Sequence, residues 1–256
     1  MSSHKPTERV INILNIISKN PNELNLSNIS KLLNIPKSTL SPILKTLVES
    51  ELLDFEATNQ TYTVGLETFQ IGQSYLNNIN GLDIVKSHMR SIVNECNETC
   101  QLGINHRNEV LYLTKVESRQ PIKLLSSIGR NLPLYCTGLG RVLLFEYSEE
   151  QIRELYPTNL PKFTEYTINN LDDIIALIQK GKEDKFAYEK QEITSDACCI
   201  AVPIIINNSI QAAIGVSLPI IRATDEHLNN ILSLLKLHSK LISNELSNLN
   251  INHIFL

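Results

Sequence analysis

Between residues 25 and 64 the chain is punctuated so closely that few structures fit it. Asn25 can cap a short helix whose apolar positions, Leu26, Ile29 and Leu33, recur at helical spacing. Asn34 follows, one of the few residue types that tolerate the left-handed conformation ending a helix. Ile35-Pro36 then opens a second helix, with Leu40, Ile43, Leu44 and Leu47 on one face and Lys37, Ser38, Thr39, Ser41, Lys45 and Thr46 on the other. Two short alternating runs, Leu52 to Glu56 and Gln60 to Val64, are joined by Ala57-Thr58-Asn59 and predict a hairpin. Helix, tight turn, helix and hairpin in this order spell a winged helix-turn-helix. A polar second helix held by an apolar back is what a DNA major groove accepts. Lys37 and Lys45 are expected to meet phosphates, while Ser38, Thr39 and Ser41 are placed for base edges.

The charge distribution qualifies that expectation. The net charge of -4 is wrong for a simple DNA binder. Residues 1 to 48 nevertheless carry Lys5, Arg9, Lys19, Lys31, Lys37 and Lys45 against only Glu8 and Glu23. Residues 49 to 67 then carry Glu49, Glu51, Asp54, Glu56 and Glu67 with no base. Attraction to DNA grows with the number of phosphates neutralised, so a monomer should bind weakly and with strong salt dependence. Pairing would double the contacts, and the charge therefore argues for an oligomer.

A chain of 256 residues can bury two modest cores. No apolar run reaches the roughly 18 residues of a membrane span, and Met1-Ser2-Ser3-His4-Lys5 lacks the apolar core of a secretory signal, so the expected location is the cytoplasm. Five cysteines, Cys96, Cys100, Cys136, Cys198 and Cys199, lack scaffold-like spacing and are expected as free thiols.

Elsewhere the pattern alternates between helix and strand. A first helix is expected from Glu8 to Lys19, capped by Thr7, and another over Leu66 to Asn78 with Leu66, Phe69, Ile71 and Leu76 as anchors. Asn77-Asn78-Ile79-Asn80-Gly81 marks the domain break. Beyond it, helices are expected over Leu82 to Cys96, Gly138 to Tyr147, Glu149 to Leu155 and Leu171 to Lys182. Strands are expected over Thr99 to Ile104, Val110 to Val116, Ile122 to Ser126, Phe186 to Glu189, Cys198 to Ile206 and Ile210 to Leu218. Asn207-Asn208-Ser209 is the hairpin between the last two strands, and a final helix capped by Thr224 runs to Asn248. Hairpin-linked strands with helices beside them predict an α+β domain with a largely antiparallel sheet.

Taken together with Gly129-Arg130-Asn131-Leu132-Pro133-Leu134, Thr137-Gly138-Leu139-Gly140-Arg141, Cys199-Ile200-Ala201-Val202-Pro203 and Ala212-Ala213-Ile214-Gly215-Val216-Ser217-Leu218-Pro219, the helix-turn-helix segments make the chain resemble the IclR family of bacterial transcription regulators over nearly its whole length. The resemblance implies a winged DNA-binding domain at 1–65, a linker helix at 66–80 and a GAF/PAS-like effector-binding domain at 81–256. It also implies pairing through the DNA-binding half, as a homodimer or homotetramer, and more often repression than activation. By the same resemblance Leu124, Leu132, Gly138, Leu139, Glu189, Cys199, Gly215 and Ser217 fall where the family lines its effector pocket. A small organic acid or sugar acid is the implied ligand, and no cofactor or metal is implied. The chain departs from the family at Glu189, where Asp is common, at Asp196 and Gly215, and at Pro42, which occupies a groove-facing position where Arg is frequent. A proline in the second turn removes a helical hydrogen bond.

Several sharper chemistries compete with this assignment. Cys96, Cys100, His88 and His106 invite a zinc site, but paired C-x₂-C spacing is absent and buried thiols explain them better. Cys199 with Cys136 could serve a redox or metal role, since neighbours Cys198 and Cys199 in a strand point to opposite faces. The alternative function is a ligand-binding or metal-dependent enzyme with a vestigial DNA module, and a dimerisation adaptor is a third. No Gly-x-Ser-x-Gly or phosphate loop occurs, the six histidines are scattered, and Glu189 with Glu192 are expected as a solvated pair facing unlike directions. Catalysis is not expected.

Overall fold

The protein is described here by a computed structural model covering residues 4–77, 81–121, 128–156 and 160–251. Its contacts divide the chain into two units, Met1–Ile79 and Asn80–Leu256.

The first unit contains α1 (Lys5–Lys19), α2 (Leu26–Leu33), α3 (Lys37–Glu49), the hairpin strands β1 (Leu53–Glu56) and β2 (Thr61–Val64), and α4 (Leu66–Asn77). Local chemistry sets the boundaries as the sequence implies. Asn25 Oδ1 accepts from Asn28 N at 3.0 Å to start α2, and Asn34 ends it in the left-handed region at φ 52° and ψ 44°. The helices close over Ile13, Ile17, Leu24, Ile29, Leu40, Leu44, Leu47 and Leu53. The hairpin pairs Leu53 with Val64 through to Glu56 with Thr61. Two expectations fail. The first helix begins at Lys5 rather than Glu8, because Pro6 sits in its first turn, where a missing N–H costs nothing. Thr7 therefore lies inside the helix, its hydroxyl 2.9 Å from His4 Nδ1. In α4, Leu66, Phe69 and Ile71 are not anchors in this unit: all three are more than half exposed.

The second unit is a six-stranded sheet in the order β5-β4-β3-β8-β7-β6, every neighbouring pair antiparallel. Its strands are β3 (Thr99–His106), β4 (Glu109–Val116), β5 (Asn131–Pro133), β6 (Ala187–Lys190), β7 (Ala197–Ile206) and β8 (Ser209–Pro219). Helices α5 (Leu82–Cys96) and α9 (Asp225–Asn248) cover one face; α6 (Gly138–Leu143) and α8 (Leu171–Asp184), with α7 (Glu149–Leu155), lie on the other. The β7–β8 turn places Asn207 and Asn208 at φ 51° and 61°, as a tight two-residue hairpin requires. Between α5 and α9, His88 Nδ1 meets His238 Nδ1 at 2.8 Å and His88 Nε2 meets Glu245 Oε1 at 3.1 Å. Burial, followed by the neighbouring His88, holds the His238 pKa below the usual histidine value.

Here too some expectations shift. The strand expected over Ile122 to Ser126 lies outside the described residues. The helix from Gly138 stops at Leu143, after which Phe145 N and Tyr147 N bond to carbonyls three residues back, a tightening that ends the α-helical ladder. The edge strand β5 has no counterpart among the expected strands; three half-buried residues, Asn-Leu-Pro, carry no strand pattern of their own. Among the described residues no helix is long and apolar enough to cross a membrane.

Candidate functional site

In the first unit, α3 presents two faces. Leu40, Leu44 and Leu47 are buried, and their spacing of four and three residues puts them on one stripe. The opposite face exposes Lys37, Ser38, Ser41, Lys45 and Thr46; Thr39 is half-buried and so less available than its neighbours. Lys45 Nζ lies 3.7 Å from Glu49 Oε1, but both side chains are largely solvated, so this pair holds the lysine loosely. Pro42 is exposed within the helix, and Thr46 Oγ1 donates to its carbonyl at 3.0 Å.

In the second unit, the register sorts the polar side chains. Glu189 stands opposite Cys199, Cys199 opposite Ser217 and Ser217 opposite Thr99, a single row across β6, β7, β8 and β3. These side chains share the sheet face that carries α6, since a Cβ on Gly138 would stand 3.1 Å from Cys199 Sγ and one on Gly215 would stand 3.2 Å from a Leu139 methyl. Of the effector residues implied by the resemblance, Gly138, Leu139, Glu189, Cys199, Gly215 and Ser217 therefore converge. Leu132 is half-buried on β5 and packs against the same apolar cluster. Leu124 lies outside the described residues.

At the start of α6, Thr137 caps the helix and takes up one of its N–H groups. Gly140 N donates to Thr137 Oγ1 at 3.1 Å, and a Cβ at Gly140 would collide with the backbone of Leu134. Burial pushes the Cys199 and Cys136 thiols up to about 12, and Cys96 and Cys100 are likewise buried and raised. Such thiols lack the electropositive exposure that makes cysteine reactive.

The solvated pair expected at Glu189 and Glu192 is also corrected. Glu192 is 2% exposed and accepts from Arg141 Nη2 at 2.8 Å and from Ile168 N at 3.2 Å. Arg141 is equally buried and donates from Nε to the Tyr135 carbonyl at 2.9 Å and from Nη1 to the Tyr188 carbonyl at 3.3 Å. Glu189 accepts from Glu192 N, so the two acids act on one loop, 191–196, rather than facing apart. Burial raises the Glu189 carboxyl to about 7; the Glu192 charge adds to this, while backbone N–H groups and Arg141 oppose it.

Sequence reasoning missed Gln101, Thr99, Tyr112 and Arg141. Gln101 is 3% exposed and its Oε1 accepts from Ser217 Oγ at 3.2 Å. Thr99 Oγ1 accepts from Ser118 N at 3.1 Å. The one available signal was a polar residue inside an otherwise apolar strand run.

The family model described as "Bacterial transcriptional regulator IclR C-terminal" matches residues 73–244, and "IclR helix-turn-helix domain" matches residues 6–56. The chain is 28% identical over 221 residues to the HTH-type transcriptional repressor AllR of Escherichia coli (strain K12), covering 86% of this chain and 82% of that protein. The fold is that of an IclR-type regulator from Alicyclobacillus acidocaldarius, with a TM-score of 0.85 at 17% identity, covering 95% of this chain and 99% of that one. It is also that of an IclR homologue from Microbacterium hydrocarbonoxydans solved with 4-hydroxybenzoate, with a TM-score of 0.80 at 20% identity, covering 94% and 98%. A helix-turn-helix with a solvent-facing polar helix, joined to an antiparallel sheet with a buried polar row, therefore belongs to the IclR family of bacterial transcriptional regulators.

Proposed function

We propose that this protein is a one-component repressor whose hold on its operator is set by a small molecule bound at the polar end of the second unit's sheet. The observation that carries the DNA half is α3, whose exposed side bears Lys37, Ser38, Ser41, Lys45 and Thr46 while its leucines are buried. Lys37 and Lys45 supply phosphate contacts and the hydroxyls reach base edges. The repressor name carried by AllR and the 4-hydroxybenzoate held by the Microbacterium homologue support the sign of control and a small-molecule effector. The proposed effector pocket is bounded by Leu132, Gly138, Leu139, Glu189, Cys199, Gly215 and Ser217. The enzyme alternative loses its candidates: the buried thiols stay protonated, and Glu192 is neutralised by Arg141.

The operator-bound form is taken to be a homodimer or a larger even assembly acting in the cytoplasm. Helix α4 leaves Leu66, Phe69, Ile71 and Tyr75 exposed, as a helix that packs on a second copy would. Ligand closure then changes affinity only if it favours one spacing of the paired recognition helices over another. The test is titration of the protein against its own upstream DNA at rising salt, by fluorescence anisotropy. A steep fall of affinity with salt is expected, and Lys37→Ala and Lys45→Ala should each lower the log–log slope by about 1 per contacting subunit. A flat slope, or DNA binding untouched by both substitutions, would remove the operator-binding assignment.

A further inference from the structure

The interface between α5 and α9 holds four titratable side chains that the operator-binding reading does not use. The two helices run antiparallel. Gly81, just before α5, packs so closely on Leu246 near the end of α9 that a Cβ there would collide with it. Glu98, just after α5, pairs with Arg222 and His227 at the start of α9. His88 and Glu95 stand seven residues apart on α5, and His238 and Glu245 stand seven apart on α9, so each pair lies on one stripe two turns long. Crossing the stripes sets each histidine opposite the other helix's glutamate. His88 Nε2 lies 3.1 Å from Glu245 Oε1, and His238 Nε2 lies 4.0 Å from Glu95 Oε1. Between them the two Nδ1 atoms face each other at 2.8 Å. The imidazoles are largely buried, whereas both carboxylates are more than half exposed.

That geometry admits one hydrogen between the rings and no more. An Nδ1···Nδ1 hydrogen bond needs one nitrogen carrying hydrogen and the other bare. When both rings are imidazolium, two N–H groups point at each other and the bond is lost. A metal ion fits the spacing poorly. Two nitrogens held tetrahedrally by one zinc at ~2.0–2.1 Å stand about 3.3 Å apart, and the carboxylates sit on the far ring nitrogens, so two ligands at most face the gap. Among the described residues no group of three or more His, Cys, Asp or Glu could hold a metal ion.

The surroundings oppose a second proton. Burial, then His88, holds the His238 pKa below the usual histidine value, and Glu95 works against both. From the sheet beneath, β3 contributes the buried thiol of Cys100 and, at its exposed end, His106 beside Glu109 of β4. β7 contributes Cys198, and β8 has no titratable residue. On the helices, Asp83, Arg90 and Lys240 are exposed and Lys86 is half-buried; Lys236 is engaged by the Asp184 carbonyl and His227 by Glu98. Of all these, His88 and Glu95 are the groups that act on His238.

We propose that His88 and His238 form a proton-controlled latch between α5 and α9, shut while one hydrogen bridges the rings and opened when both rings are protonated. Mild acid then loosens the helix pair where the chain enters the second unit, since Leu246, the seat of Gly81, adjoins Glu245. A histidine whose folded pKa is lowered gives its stabilisation in full above the unfolded value and loses it as pH falls through the folded one. The latch is therefore shut near neutrality and opens on the acid side of the ordinary histidine range. This holds whether or not the first unit binds an operator, because helix opening is read without DNA.

The test is amide hydrogen exchange of the full chain from pH 7.5 to pH 5, read by mass spectrometry and corrected for the intrinsic pH dependence of exchange. Peptides from α5 and the second half of α9 should lose protection by about tenfold per pH unit once His238 takes up its proton, while β7 and β8 keep theirs. His238→Asn retains an acceptor at the Nδ1 position but cannot be protonated, so it should keep its protection down to pH 5. Glu95→Gln, at an exposed site, removes the charge that favours the second proton and should move the loss to lower pH; it carries the test if the asparagine variant does not fold. No acid loss in the wild type, or an equal loss in the wild type and the variants, would overturn the latch. Zinc that raises the wild-type melting temperature and leaves His238→Asn unmoved would overturn it in favour of a metal site.

Discussion

At Glu189 two demands compete. Its backbone position in β6 buries the carboxyl beside Cys199, while the N–H of Glu192 and the Arg141 guanidinium favour the charged form. Burial wins, and the group sits near 7 rather than 4.5. A carboxyl whose folded pKa is raised stabilises the fold below its unfolded pKa and loses that contribution as pH rises through the folded value. The native chain is therefore expected to lose stability between pH 5 and pH 8, by up to about 3 kcal/mol from this residue. Denaturant midpoints taken across that range should show it, and Glu189→Gln should flatten the dependence; an equal slope in the variant would assign the effect elsewhere. Nothing in the sequence distinguishes this acid from a solvated one. Its burial follows from a cross-strand partner ten residues away and from a loop folded over it by Arg141 and Glu192.

Helix α3 was legible almost entirely, because its signals are local. The left-handed Asn34, the Ile35-Pro36 entry and the leucine stripe each act within one or two turns. Pro42 is the discordant residue. It cannot donate to the carbonyl of Ser38 and its ring crowds that turn, a loss worth roughly 3 kcal/mol in an ordinary helix interior. Pro42→Ala should raise the unfolding free energy by about 1–3 kcal/mol, read from urea melts. Anisotropy on the same variant would show whether the helix bends to suit its DNA: a more stable protein with weaker operator binding is the expected result. The weaker boundaries had weaker signals. α1 starts a turn early because Pro6 suits a helix start better than Thr7 suits a cap, and α6 stops short while its apolar periodicity runs on through Phe145.

At the scale of the molecule, Leu66, Phe69, Ile71 and Tyr75 of α4 stand about half exposed or more. Phe69→Glu should shift the assembly toward monomer in light scattering and lower the salt slope on DNA by about the contribution of one subunit. An unchanged mass would move the interface elsewhere. The sequence by itself determined the architecture: a winged helix-turn-helix followed by hairpin-linked strands and amphipathic helices. Periodicity and turn residues act over a few positions and leave their mark in order along the chain. Only the tertiary structure decided the buried polar row. Glu189, Cys199, Ser217 and Thr99 come from four strands, and their alignment depends on register and on the helix laid over them. Contacts between residues up to 116 positions apart leave no periodic trace, because it is folding that brings them together.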